Sequence, residues 1–91
     1  MLPVQNIATT VLAELIRRQP ASKERTAFAW SVAVGPALSR VTTVELRNAR
    51  LVVTARDARW VNELERARET ILRRVQLLLG ADAVKGMYIN A

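Results

Sequence analysis

TTVELRNARLVVTAR, Thr42 to Arg56, is the stretch on which the fold turns. Apolar residues here repeat every second position, the spacing of a strand with one covered face. In Thr42–Arg47, Val44 and Leu46 point one way while Thr43, Glu45 and Arg47 point the other. In Arg50–Arg56, Leu51, Val53 and Ala55 alternate with Arg50, Val52, Thr54 and Arg56. Asn48-Ala49 is short enough to close a hairpin; Asn accepts the left-handed turn conformation, and Ala is a poorer second residue than Gly. The hairpin therefore has an apolar face that needs cover and an opposite face with three arginines.

On either side the period is helical. Val4, Ile7, Ala8, Val11, Leu12 and Leu15 paint one stripe, with Pro3 suited to a first turn and Arg17, Arg18 and Gln19-Pro20 marking the end. A first helix is expected from Val4 to Arg18. Ser22 is a candidate N-cap for a second, whose apolar face reads Ala27, Trp30, Val34, Ala37 and Leu38. Gly35-Pro36 should kink or break it, since an interior Pro costs ~3 kcal/mol. After the hairpin, Asp57 caps a long third helix with Trp60, Leu64, Ala67, Ile71, Val75 and Leu78 inward, flanked by Val61, Leu72 and Leu79. Gly80 stops it, and Ala83–Ile89 reads as a last strand. Strand, helix, strand is a crossover that sets the final strand parallel to a neighbour.

The expected architecture is α+β in the order α-α-β-β-α-β, a three-stranded sheet with helices packed on one face. Residues 1–91 are expected to form one domain. A core at this length buries about 60% of the unfolded surface, a thin margin that a homodimer would relieve.

Composition narrows the function. Fourteen Lys+Arg against eight Asp+Glu leave +6, with no Cys and no His. That removes thiol nucleophiles, disulfides, the usual zinc sites and every His-dependent triad. No glycine-rich phosphate loop or GxSxG elbow occurs. Carboxylates such as Glu65 with Glu69, or Glu63 with Asp82, read as surface charges. An enzyme is not expected, and neither a cofactor nor a metal is called for. Twelve of the cations are Arg, which forks onto phosphates and stacks on bases; a GC-rich genome would also write an Arg-rich, Lys-poor chain. Residues 47–91 hold nine cations against five acids, residues 1–46 five against three, so the excess leans to the C-terminal half. No segment has the roughly 20 apolar residues of a membrane span or the layout of a signal peptide. A cytoplasmic protein with no membrane partner is expected.

Trp30, Val34-Gly35, Leu38, the hairpin ending in Leu51 and Val53, Trp60 with Leu64, and Ile71-Leu72, Leu79-Gly80 and Val84 together resemble the bacterial DciA-type family. The resemblance covers about residues 26–90. It implies a KH-like fold and a role in loading the replicative DnaB-type helicase, which becomes the expected protein partner. Three features depart from the family pattern. Val41-Thr42 stands where members often have His before Ser or Thr, and Ala49 stands where the turn often has Gly. The chain also ends at Ala91 without the extension common in the family, so a short form is expected. No GxxG loop is present, so KH-style clamping of a nucleic-acid backbone is not implied.

The strongest candidate surface is Arg47, Arg50, Arg56 and Arg59: three on the polar face of the hairpin, the fourth opening the third helix. Such a patch would contact the phosphates of single-stranded or junction DNA. A solvated face, with Arg guarding a strand edge, accounts for the same residues. Arg59, Arg66 and Arg73, with Glu63 and Glu69 between them, read as a mixed-charge helix surface or as a docking face for an acidic helix. Trp30 and Trp60 read as core anchors, and Tyr88 as a stacking candidate if its ring faces outward. Two classes remain open: a nucleic-acid-binding module of the helicase-loader type, and a protein–protein adaptor of the same fold.

Overall fold

In the computed structural model, which describes the backbone from Pro3 and side chains from Val11 onward, the hairpin forms as its alternation requires. Strand β1 (Thr42–Arg47) pairs antiparallel with β2 (Arg50–Ala55), with Arg47 opposite Arg50 and Thr42 opposite Ala55. Asn48 and Ala49 both have positive φ, 50° and 63°, the left-handed pair of a two-residue turn whose twist matches that of the strands. Strand β3 (Gly86–Asn90) runs parallel to β2 on its other side, giving the order β1-β2-β3.

Four helices complete the described residues: α1 (Pro3–Arg18), α2 (Lys23–Arg40), α3 (Ala58–Arg66) and α4 (Arg68–Leu79). The Ser22 side chain accepts the Arg25 amide at 3.0 Å, and Asp57 accepts the amides of Arg59 and Trp60, so both expected caps form. Helix α2 is interrupted at Gly35, whose φ of 87° and ψ of 168° are open to glycine alone at no steric cost. Pro36 then enters the first turn of a fresh helical segment, where a missing N–H is harmless.

The core lies between the sheet and the helices. Leu51, Val53, Ala55, Met87 and Ile89 point from the sheet into Trp30, Ala33, Leu64, Ile71, Val75 and Leu78, with Val84 fully enclosed. Helix α2 packs on β1 and α4, α3 on β3 and β2, and α1 on α4. Among the described residues all the cover is on one side, and the alternate residues of the strands face outward with no helix over them.

Four expectations need correction. The single third helix is two, broken at Ala67 (φ −102°, ψ 11°). The break lets α3 follow the sheet while α4 turns beneath α1 and α2, and it is held by Arg68, which grips Glu65 and the Met87 carbonyl at once. The seven-residue alignment of Arg59, Arg66 and Arg73 therefore does not run along one axis; the pair that forms is Glu63 with Arg66, at 3.8 Å.

The last strand begins at Gly86, not Ala83, because the backbone before it is engaged elsewhere. The Ala83 and Val84 backbone N–H groups donate to the Gly80 carbonyl, Nε2 of the Gln76 side chain donates to the Val84 carbonyl, and the Lys85 N–H donates to the Ala49 carbonyl.

The helical stripes are partly rotated, although Leu12, Val34 and Leu38 pack against the core as expected. In α1 the buried residues are Ala13 and Ile16, while Val11 and Leu15 are exposed; Val4, Ile7 and Ala8 lie outside the described side chains. In α2, Thr26 and Ala29 are buried with Trp30 and Ala33, while Ala27 and Ala37 face out. Finally, Trp30 is a core residue but Trp60 is only half-buried, leaning on the core from its rim.

Candidate nucleic-acid interface

The uncovered face of the sheet is set by strand parity and register. Three rows cross it. Arg47, Arg50 and Gly86 form the first, Glu45, Val52 and Tyr88 the second, and Thr43, Thr54 and Asn90 the third. Continuing the hairpin register one step places Val41 opposite Arg56, where the Arg56 amide donates to the Val41 carbonyl at 2.8 Å.

Two concavities sit at opposite ends of this face. One, of about 310 Å³, is lined by Arg47, Asn48, Arg50 and Val52. The other, of about 260 Å³, is lined by Arg40, Val41, Thr42, Thr43, Thr54, Ala55 and Arg56. Arg56 lies six residue steps beyond Arg50 along β2 and its exit, so their Cα atoms stand ~20 Å apart. Each end thus offers two guanidinium groups, and hydroxyl-bearing and apolar side chains run between.

The cations differ in how much of their charge is committed. Arg47 Nε lies 3.2 Å from Glu45 Oε2 on the same face. Arg66 and Arg68 are paired with Glu63 and Glu65. The bidentate Arg68 contact, chiefly its hydrogen bonds, holds the Glu65 carboxyl below the usual carboxylate range and raises Arg68 in turn; burial opposes and Coulomb attraction adds. Among the described residues, Arg40, Arg50, Arg56 and Arg59 have no carboxylate within ion-pair distance. Asp57, adjacent to Arg56 in sequence, is occupied in capping α3.

The four sequence candidates are therefore divided. Arg47 and Arg50 share the hairpin-end concavity, Arg56 belongs to the far one, and Arg59 stands in the first turn of α3 beyond the sheet. All four are exposed. Arg40 is not among the sequence candidates. It is the last residue of α2, and Val41, the C-cap, turns the chain directly into β1, so the helix end stands beside Arg56. Asn48 and Val52 were also unassigned, since only the closed turn shows them lining a concavity.

A second concave feature lies on the helical side. Leu12, Leu15 and Ile16 of α1 face Phe28 of α2 across an apolar groove of about 500 Å³, closed at one end by Gln19 and Pro20. The Arg25 guanidinium fastens that end by donating to the Gln19 carbonyl at 2.8 Å.

Among the described residues no helix is long and apolar enough to cross a membrane, and no cluster of three His, Cys, Asp or Glu residues could hold a metal ion. The class these features define is a small α+β module with a helical layer behind the sheet and an open, arginine-bearing face in front. The family model described as "Dna[CI] antecedent, DciA" matches residues 3–89. The chain belongs to the DciA family, a family of helicase loaders, and so takes its place among factors of DNA replication. No curated protein matches it.

Proposed function

We propose that this protein serves the loading of the replicative helicase in the cytoplasm by binding single-stranded or junction DNA along the open face of its sheet. Family membership supports the loading role. The observation that supports DNA contact is the pair of arginine-flanked concavities at the two ends of one uncovered face. A strand lying along β2 would meet Arg50, with Arg47, at one end and Arg56, with Arg40, at the other; Arg59 would receive DNA that continues past the sheet. Phosphate contacts of this kind position a strand without reading its sequence.

A second reading is an adaptor of the same fold with no affinity for nucleic acid. The apolar groove between α1 and α2 favours it, because a protein partner fits that surface and DNA does not.

Fluorescence anisotropy of a labelled single-stranded oligonucleotide, repeated across salt concentrations, separates the two. Four phosphate contacts, from Arg40, Arg50, Arg56 and Arg59, unpaired among the described residues, give a slope of log K against log salt of about −3. Arg50→Glu and Arg56→Glu should each abolish most of the binding, while Arg73→Glu on the α4 surface should change it little. Absence of binding at low salt would leave the adaptor reading in place.

A further inference from the structure

Tyr88 is 54% exposed, and among the described residues it is the large hydrophobic that stands out from the uncovered side of the sheet. Val11, Leu15, Phe28, Val32 and Leu77, the other exposed large hydrophobics, all belong to helices. Burial of a ring this size stabilises a fold by about 1.5–3 kcal/mol. Tyr88 forgoes part of that gain while the residues on either side of it, Met87 and Ile89, are buried.

Its surroundings suit a flat, partly apolar, anionic ligand. Val52, its register partner on β2, extends the apolar surface at the level of the ring. One row away, Arg50 is opposite Gly86. Arg50 and Tyr88 are therefore diagonal neighbours with Cα atoms about 8 Å apart, within the reach of an Arg side chain and close to the span from a base to its own phosphate. Gly86 leaves bare backbone beside them, and a Cβ built there would meet nothing within 4 Å. On the other side Thr54 and Asn90 supply groups able to hydrogen-bond a base edge or a sugar.

We infer that Tyr88 stacks on an unpaired nucleobase, with Val52 beneath the base's edge, Gly86 giving it room and Arg50 holding the adjoining phosphate. This deepens the DNA-binding reading above and rests on it. The consequence is selectivity. Phosphates are offered equally by single and double strands, but a base face is free only in an unpaired nucleotide. The face takes single-stranded nucleic acid and discriminates against duplex.

The test compares wild type, Tyr88→Ala, Tyr88→Phe and Gly86→Val in anisotropy titrations with a single-stranded oligonucleotide, the same strand made fully abasic, and its duplex. Tyr88→Ala should weaken single-strand binding about tenfold and leave the salt slope unchanged, because no phosphate contact is lost. Tyr88→Phe should bind like wild type. Gly86→Val, which adds a β-branched side chain in open space, should fold normally and bind more weakly. The abasic strand should bind wild type and Tyr88→Ala alike. Equal binding of intact and abasic strands, or of single strand and duplex, would overturn the stacking role while leaving the arginine contacts standing. No binding of any oligonucleotide by wild type would overturn both. Since Tyr88 is exposed, unchanged denaturation midpoints will show that the losses are not from unfolding.

Discussion

Glu45 and Arg47 meet on the open sheet face at 3.2 Å, so the face neutralises part of its own charge. Both side chains are more than half exposed, and such a pair contributes little to stability. Its effect is on the ligand. Glu45→Gln should free Arg47 and remove a repulsive carboxylate, raising single-strand affinity about two- to fivefold at low salt. The salt slope should steepen by ~0.7 as a further phosphate contact forms. Anisotropy titrations at several salt concentrations measure both quantities.

The indole N–H of Trp30 donates to the Thr42 hydroxyl at 2.8 Å, and that hydroxyl donates to the Leu38 carbonyl at 2.7 Å. The relay ties the middle of α2 to the start of β1. Thr42→Val keeps the shape and strands a buried N–H, so it should cost about 1–3 kcal/mol in chemical denaturation, with Thr42→Ser close to wild type. The tryptophans should differ too. Trp30→Ala should cost about 3–5 kcal/mol, and the half-buried Trp60→Ala only about 1–2 kcal/mol.

Ala49 holds φ at 63°, a conformation that costs an L-residue about 1–2 kcal/mol. Ala49→Gly relieves that strain and adds some unfolded-state freedom, about 0.4–1 kcal/mol. The net should be a gain of about 0.5–1 kcal/mol, seen as a higher denaturation midpoint with unchanged DNA affinity.

Arg68 joins the α3–α4 junction to the edge of the sheet through the Met87 carbonyl. Arg68→Ala should lower stability by about 1 kcal/mol. The Glu65 contact gives this junction a pH signature. Because the folded carboxyl is held below its unfolded range, its contribution is present above the unfolded pKa and is lost as pH falls through the folded value. Glu65→Gln should flatten that part of the acid limb in denaturation midpoints measured against pH.

The hairpin was legible because its signal is local. A period of two, a two-residue turn with Asn48 and a chain of outward arginines fix register and facing together. Gly35-Pro36 was legible for the same reason, as a residue pair with few backbone options. The break at Ala67 was not, since ELERARETILRR contains no breaker and a modest change in ψ suffices once Arg68 finds Met87 some twenty residues on. The rotation of α1 was hidden as well. Its apolar residues are numerous enough to offer two stripes, and only contact with α4 selects Ala13 and Ile16 over Val11 and Leu15. For the site, parity supplied Arg47, Arg50 and Arg56, whereas the partition into two ends and the place of Arg40 required the closed hairpin.

The most direct test of the central idea, that the open sheet face receives DNA, is to map amide chemical-shift changes by NMR as a short single-stranded oligonucleotide is added. The account predicts that the largest changes fall on Arg40, Thr43, Arg47, Asn48, Arg50, Val52, Thr54, Arg56 and Tyr88, and that Leu12, Leu15 and Phe28 in the groove stay still. Changes confined to the groove or to the α4 surface would contradict it.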